Sequence, residues 1–426
     1  MEVVPFQGIR YNERVVGDLA KVICRPYDVI TPEQQKLYYA KSDSNAVRLE
    51  FPEATTDRYE RAAMTFQQWL KHGVLQYDSE SSFYLHEHEF KYSGKKMLRR
   101  GVIARVKLEP WGSGIFPHEE TASKAKSDRL QLMQACRANF SPLFSLYQDS
   151  ERKIAAILCR VAQGEPAMVL PAGPDNFPDP DEAHRLWAVA DPEVKQGLGE
   201  LLSAQPLYIA DGHHRYETAL TYQQGRTHEQ SPGGNRAFNY VMIELVEFSG
   251  PGLIVLPLHR LVRGILPSSL ANLADRFRGF FDVEVVASRI DGWDLSVDSC
   301  LGVLGLQPDS LVLLKRRQDV ALETIMPGSR SQICGEFGVS ILNHIVFDGI
   351  LSEAKDIEIA YAVDLEEARQ QIKEGKYQLA FLLHPPRMEM IKAVADARDR
   401  MPAKSTYFHP KLPAGLVINP LDGERL

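Results

Sequence analysis

An apolar run, Pro206-Leu207-Tyr208-Ile209-Ala210, stops abruptly at Asp211-Gly212. His213, His214 and Arg215 follow, and then Tyr216, Ala219 and Leu220 recur at helical spacing. The order is strand, tight turn, helix. Such a junction aims free backbone N–H groups and the positive end of a helix dipole at one spot. Gly212 lets a ligand approach the backbone closely, and Arg215 adds a forked cation suited to phosphate oxygens. The segment is a candidate anion site, with phosphate as the best fit. An ordinary reading stands beside it, because Asp-Gly is a common turn and histidines also cap and pack. The density of ligand-capable side chains from Asp211 to Arg215 favours the site.

Strand and helix patterns alternate along the rest of the chain, which indicates an α/β or mixed α+β protein. Thr31-Pro32-Glu33-Gln34 reads as a helix start with Thr31 as N-cap. Residues 57–72 carry Tyr59, Ala62, Ala63, Phe66, Trp69 and Leu70 on one helical face. Residues 82–92 and 100–108 read as strands joined at Ser93-Gly94, and 240–245 and 252–257 as further strands. Helices are expected over 127–139, 151–161, 191–203, 266–281, 365–374 and 387–399, with strands over 301–306, 310–315, 359–363 and 377–383. At 426 residues the chain exceeds one ordinary core. A change of texture suggests a region 1–245 that includes the Asp211 turn and a second α/β region 246–426.

Composition narrows the function class. A formal net charge of −7 argues against broad nucleic-acid affinity. No apolar run approaches the ~20 residues of a membrane helix. Met1-Glu2-Val3-Val4-Pro5 lacks the basic and apolar parts of a signal peptide, so a cytoplasmic location is the expectation. Cys24, Cys136, Cys159, Cys300 and Cys334 form no CxxC, which fits free thiols. The oligomeric state is left open.

Familiar nucleotide loops are missing: there is no GxxxxGK[ST], and Gly112-Ser113-Gly114 runs into Ile-Phe-Pro. His86-Glu87-His88-Glu89 puts two histidines on one strand face, and a solvated face is the expectation there, with no metal site assigned. Two further polar clusters stand out. His118 and Glu119 precede Lys124, Lys126, Asp128 and Arg129, so a carboxylate that could serve as general base lies near cations that could hold an anion. Lys404, Ser405, Thr406 and Tyr407, with Lys411, crowd donors into a proline-stiffened stretch suited to a substrate carboxylate. A solvated loop and a docking final strand are the respective alternatives.

Arg25-Pro-Tyr-Asp-Val-Ile30, His118-Glu-Glu-Thr121 with Asp128-Arg-Leu130, Ala138-Asn-Phe-Ser-Pro142, Asp211-Gly-His-His-Arg-Tyr216, and Met401-Pro-Ala-Lys-Ser-Thr-Tyr407 with Pro410-Lys-Leu412 resemble a family labelled only as domain of unknown function 1015. Asp211-Gly-His-His-Arg215 alone is similar to the phosphate-binding box of the ParB/sulfiredoxin superfamily. Its archaeal free-serine kinases carry the same five residues. This resemblance implies a ParB/sulfiredoxin-like nucleotide-binding domain in which Gly212, His213, His214 and Arg215 contact phosphates. It implies ATP or ADP as cofactor, with Mg²⁺, and a small hydroxyl-bearing metabolite such as serine as acceptor. Glu50 and Glu119 are the candidates for the base, and His214 or Asp211 for orienting the phosphate or metal. The cysteine on which sulfiredoxins depend is replaced by His213, which removes that chemistry. A nucleotide-sensing module without turnover, as in ParB, is the alternative. A metal-assisted hydrolase using His118, Glu119, His213 and His214 is a third reading.

Overall fold

The computed structural model describes residues 1–121, 123–174, 179–226, 236–287, 300–320, 337–353 and 356–423, the side chains of 123–125 excepted. The fold is mixed α/β. Two compact units are formed: Met1–Pro117, Thr121–Leu253 and Pro410–Leu426 make the first, and His118–Glu120 with Ile254–His409 the second. Cys334 and residues 424–426 lie outside the described residues, and Cys24, Cys136, Cys159 and Cys300 are free thiols. Among the described residues, no helix is long and apolar enough to cross a membrane.

The first unit is built on a nine-stranded mixed sheet. From one edge its strands are Ile115–Phe116, Leu207–Asp211, Leu143–Tyr147, Tyr240–Glu247, Lys95–Lys107, Phe83–Tyr92, Ala183–Val189 and Met168–Leu170, with Val3–Val4 also paired to Lys95–Lys107. The Leu207–Asp211 strand runs parallel to Ile115–Phe116 and antiparallel to Leu143–Tyr147. Both faces are covered. On one, Phe83, Leu85, Val102, Ala104 and Leu245 pack with Leu158, Leu198, Leu202 and Tyr216 from helices. On the other, Tyr84, Ile103, Leu186 and Met242 meet Phe6, Tyr11, Phe66, Trp69 and Leu132.

The helices follow from local signals. Pro32–Lys41 opens on a capping box in which Thr31 Oγ1 accepts from the Gln34 N–H and Gln34 accepts from the Thr31 N–H. Arg58–Lys71 buries Ala62, Phe66 and Trp69, the face its periodicity marks. Pro192–Ser203 is capped by Asp191. The expected single helix over 266–281 is instead Pro267–Ala271 and Leu273–Arg278, separated at Asn272, and Phe281 already begins a strand.

One expectation is overturned. His86 and His88 do not lie on a solvated face; both are 0% exposed. Their strand is interior, between Lys95–Lys107 and Ala183–Val189, and the N-terminal segment and a helix cover the histidine side. Charged and polar residues in the Ala183–Val189 stretch hid the strand that encloses them. Inside, these imidazoles satisfy one another and nearby carboxylates rather than water. Glu244 reaches His86 by crossing the strand between them over Gly101. A Cβ on Gly101 would fall 2.5 Å from Glu244 Oε1 and 2.6 Å from its Cγ.

The second unit is built on a six-stranded antiparallel sheet in the order Phe281–Ala287, Ser310–Arg316, Cys300–Leu304, Leu379–Leu382, His259–Arg263 and Glu358–Ala362. Leu261, Leu304, Leu311, Ala368, Ala380 and Leu382 form one of its cores, with Leu365–Lys373 packed on the sheet.

Gly101→Ala is expected to displace Glu244 and to destabilise the protein by about 1–3 kcal/mol, the usual cost of overpacking. Gly225→Ala, whose Cβ would meet nothing within 4 Å, is the control and is expected to be near neutral. Urea unfolding of both variants checks the contrast.

Candidate functional site

The sequence-predicted turn is present. Leu207–Asp211 ends in a register irregularity between Ile209 and Asp211, which re-aims the Asp211 carboxylate. Gly212 follows at φ 93° and opens the helix His213–Gly225 without a capping side chain. Only glycine suits this place. A Cβ would lie 2.9 Å from Leu143 Cγ and 3.2 Å from both Arg215 Nε and Nη2, at a φ that side chains resist. The first-turn N–H groups of such a helix have no intrahelical acceptor.

Arg215 turns back beneath the turn. Its Nη2 donates to Asp211 Oδ2 at 2.8 Å, and its Nη1 donates to Ser141 Oγ at 3.0 Å and the Pro142 carbonyl at 2.9 Å. Ser141 Oγ donates in turn to Glu50 Oε1 at 2.9 Å, which also accepts from the Tyr27 N–H at 3.3 Å. The second oxygen of Asp211 accepts from Lys411 Nζ. Arg129 donates to the Glu50 carbonyl at 2.6 Å and stacks 4.1 Å from the Tyr27 ring centre. Burial lowers the Arg215 pKa, but Asp211, Asp28, Tyr27 and Glu50 around it more than reverse this, so the guanidinium stays charged. A small cavity of about 40 Å³ is lined by Glu50, Arg129, Ser141 and Arg215, among others.

The structure thus brings Asp211, Gly212, Arg215 and Glu50 together in the first unit, along with Lys411, expected instead beside Lys404–Tyr407, and with Tyr27 and Ser141, which no site pattern singled out. Their signal was available: all three lie in segments that carry the family resemblance. His213 is buried, His214 is half-buried, and the His214 carbonyl accepts from Thr218 Oγ1 at 2.8 Å. The described charges after His118 are taken up in ion pairs. Lys126 meets Glu217 at 2.9 Å, and Asp128 meets Arg58 at 2.6 Å and Arg129 at 2.5 Å. The Lys124 side chain lies outside the described ones.

His118, Glu119 and the Lys404–Tyr407 segment form a separate cluster in the second unit. Glu119 bridges to Met401, and its carboxylate accepts from the Lys404 N–H at 2.6 Å, the Thr406 N–H at 3.4 Å and Thr406 Oγ1 at 3.1 Å. His118 Nε2 lies 3.0 Å from Thr406 Oγ1. Ser405 Oγ donates to the Pro402 carbonyl at 2.5 Å. Tyr407 pairs with Leu256 as a strand, and the Lys404 side chain is exposed. Burial raises the Glu119 pKa, against the opposing pull of the Lys404 and Thr406 donors. Among the described residues, the one His/Cys/Asp/Glu group at metal-ligand spacing is His88, Glu182 and His184. None of His118, Glu119, His213 or His214 belongs to it.

Residues 3–341 match the family described as "Protein of unknown function (DUF1015)", and the chain belongs to that family. No curated protein matches it. Three solved structures are distantly similar. A conserved hypothetical protein from Pyrococcus furiosus shares 13% identity at TM-score 0.38, over 76% of this chain and 95% of that one. A mutant free serine kinase in complex with AMP shares 13% at 0.39, over 76% and 92%. C-terminally truncated SbnI from Staphylococcus aureus shares 9% at 0.34, over 76% and 87%.

A carboxyl whose folded pKa is raised contributes most below its unfolded pKa and loses that contribution as pH rises through the folded value. Wild type is therefore expected to lose stability relative to Glu119→Gln as pH rises from about 4 to 7. Parallel urea unfolding across that range checks the sign; a constant difference would contradict it.

Proposed function

We propose that the first unit binds a nucleotide by its phosphates at the Gly212 turn and transfers a phosphoryl group to a small hydroxyl-bearing metabolite, with serine the first acceptor to test. The observation that carries this reading is the convergence of Arg215, Lys411, Asp211 and Glu50 on the uncapped start of a long helix. Identity of the box to that of free-serine kinases supports it.

The first-turn N–H groups would hold the phosphates, and two cations at the turn would offset their charge. Arg215 acts through its fixed position: its donors to Asp211, Ser141 and Pro142 shape the turn from below. Mg²⁺ is held mainly by phosphate oxygens and one or two carboxylates, and Asp211 is the candidate here. Glu50 is the preferred base over Glu119, because it shares the unit of the box. Both described bonds to its carboxylate fall on Oε1, which leaves Oε2 for the acceptor's proton. In the transfer the hydroxyl oxygen bonds to phosphorus, the bond to the leaving nucleotide oxygen breaks, and the hydroxyl proton passes to Glu50.

A thermal-shift screen of ATP, ADP, CTP and GTP with Mg²⁺ tests binding, since ligand at a hundred times Kd stabilises by about 2.7 kcal/mol. The expected result is a shift in wild type and in Glu50→Gln that is lost in Arg215→Lys. Phosphoserine should form with wild type and not with Glu50→Gln. No shift with any nucleotide would overturn the proposal. A shift without phosphorylation of any hydroxyl acceptor would leave a nucleotide-sensing module instead.

A further inference from the structure

A second polar cluster lies in the first unit, on the inner strands of the large sheet, and the nucleotide reading makes no use of it. His86 Nδ1 lies 2.9 Å from Glu244 Oε2, and His86 Nε2 lies 3.0 Å from His184 Nδ1. His88 Nε2 lies 2.7 Å from Glu182 Oε2, and Arg99 Nη2 lies 3.0 Å from His88 Nδ1. His184 Nε2 is 4.0 Å from the same Glu182 oxygen.

The proton positions follow from the two ends. An ionised Glu244 only accepts, so His86 carries its proton on Nδ1 and presents a lone pair at Nε2. His184 then donates through Nδ1 and keeps its own lone pair on Nε2, toward Glu182. At the other end Arg99 only donates, so His88 accepts at Nδ1 and holds its proton on Nε2. Burial first, then His88, His86 and Arg99, push the His184 pKa well below its ordinary value, which keeps the ring neutral.

Packing alone does not account for this set. Burying three imidazoles, two carboxylates and a guanidinium in a sheet is costly compared with apolar side chains. Gly101 is kept bare so that Glu244 can pass. Glu244 Oε1 is buried without a hydrogen-bond partner, and two carboxylates face one guanidinium.

We propose that His88, His184 and Glu182 bind a divalent transition-metal ion of the zinc class, with Glu244 and His86 orienting His184 from behind. Two imidazoles and one carboxylate leave a fourth position open, as in metal sites that hold a water or substrate. The carboxylate–His86–His184 chain is the outer support such ligands need. Beside the site is a small cavity of about 40 Å³ lined by Glu182, His184, Arg25, Asp179 and Lys411, among others. The present 2.7 Å contact is a hydrogen bond, shorter than the ~3.3 Å edge between ligands ~2.0 Å from a tetrahedral ion. Binding therefore moves the His88 proton from Nε2 to Nδ1, so Arg99 Nη2 gives up that nitrogen and keeps the Pro410 carbonyl, 2.9 Å away, while the partly exposed Glu182 swings outward. Nitrogen donors separate this ion from Mg²⁺, which takes oxygen ligands.

The test uses the full chain stripped with chelator and titrated with Zn²⁺ alone, against a chromophoric competitor, with Co²⁺ absorption as a second readout. No nucleotide is present, so the outcome is independent of the phosphotransfer reading. One equivalent should bind wild type tightly, and millimolar Mg²⁺ should not compete. Glu182→Gln, at the rim and expected to fold, should weaken binding by about 100-fold or more, and Glu244→Gln by about 10–100-fold through His86. Absence of zinc binding to wild type at micromolar concentration would overturn the proposal. So would unchanged affinity in a Glu182→Gln protein of native circular dichroism.

Discussion

The Arg215 guanidinium is the contact on which the first unit's polar centre depends. A buried cation is tolerated only when its donors find acceptors. Here the acceptors come from three places: Asp211 on the turn, Ser141 and Pro142 before the next strand, and, through Ser141, Glu50 from the N-terminal region. Lys411 brings the returning C-terminal segment to the same Asp211. The charges are therefore interdependent. Removing Arg215 would take a charged donor from Asp211 and would free Ser141 from the orientation that points its hydroxyl at Glu50. This is a different role from a cation hanging free in a cleft. The guanidinium fixes where the helix N-terminus and the carboxylates stand.

The same logic runs through the large sheet. Covering both faces makes the buried polar side chains of the inner strands turn to one another. Glu87, on the face opposite the histidines, does so with Arg100 and Arg185, at 2.6 and 2.7 Å. The histidine face does so with Glu182, Glu244 and Arg99. Gly101 shows the geometric cost: one position gives up its side chain so that a carboxylate two residues off in register can cross a strand.

How much of this was legible in the sequence depends on range. The turn at Gly212, the Thr31 cap and the Arg58–Lys71 face are set by neighbours a few residues away, and their signals were plain. The burial of His86 and His88 was not, because an alternating His-Glu-His-Glu pattern has the same period on an exposed strand and an inner one. Only the pairing with Ala183–Val189, nearly a hundred residues on, decides between them. The partners at the turn were hidden for the same reason. Ser141 meets Arg215, and Lys411 meets Asp211, only when 74 and 200 residues of separation are closed.

The two glutamates raised by the sequence illustrate how environment divides equal chemistry. Glu119 is enclosed by backbone N–H groups of its own unit, with Thr406 and His118 beside it, and burial raises its pKa. Every described acceptor site on it serves to hold the Met401–Thr406 segment in place, a structural use of a carboxylate. Glu50 has one oxygen fixed by Ser141 and Tyr27 and its ring of cationic neighbours is shared with the turn. A base must be held still and yet keep one lone pair for the substrate. Of the two, only Glu50 combines those properties with membership of the unit that carries the box, which is why the proposed transfer gives the proton to it.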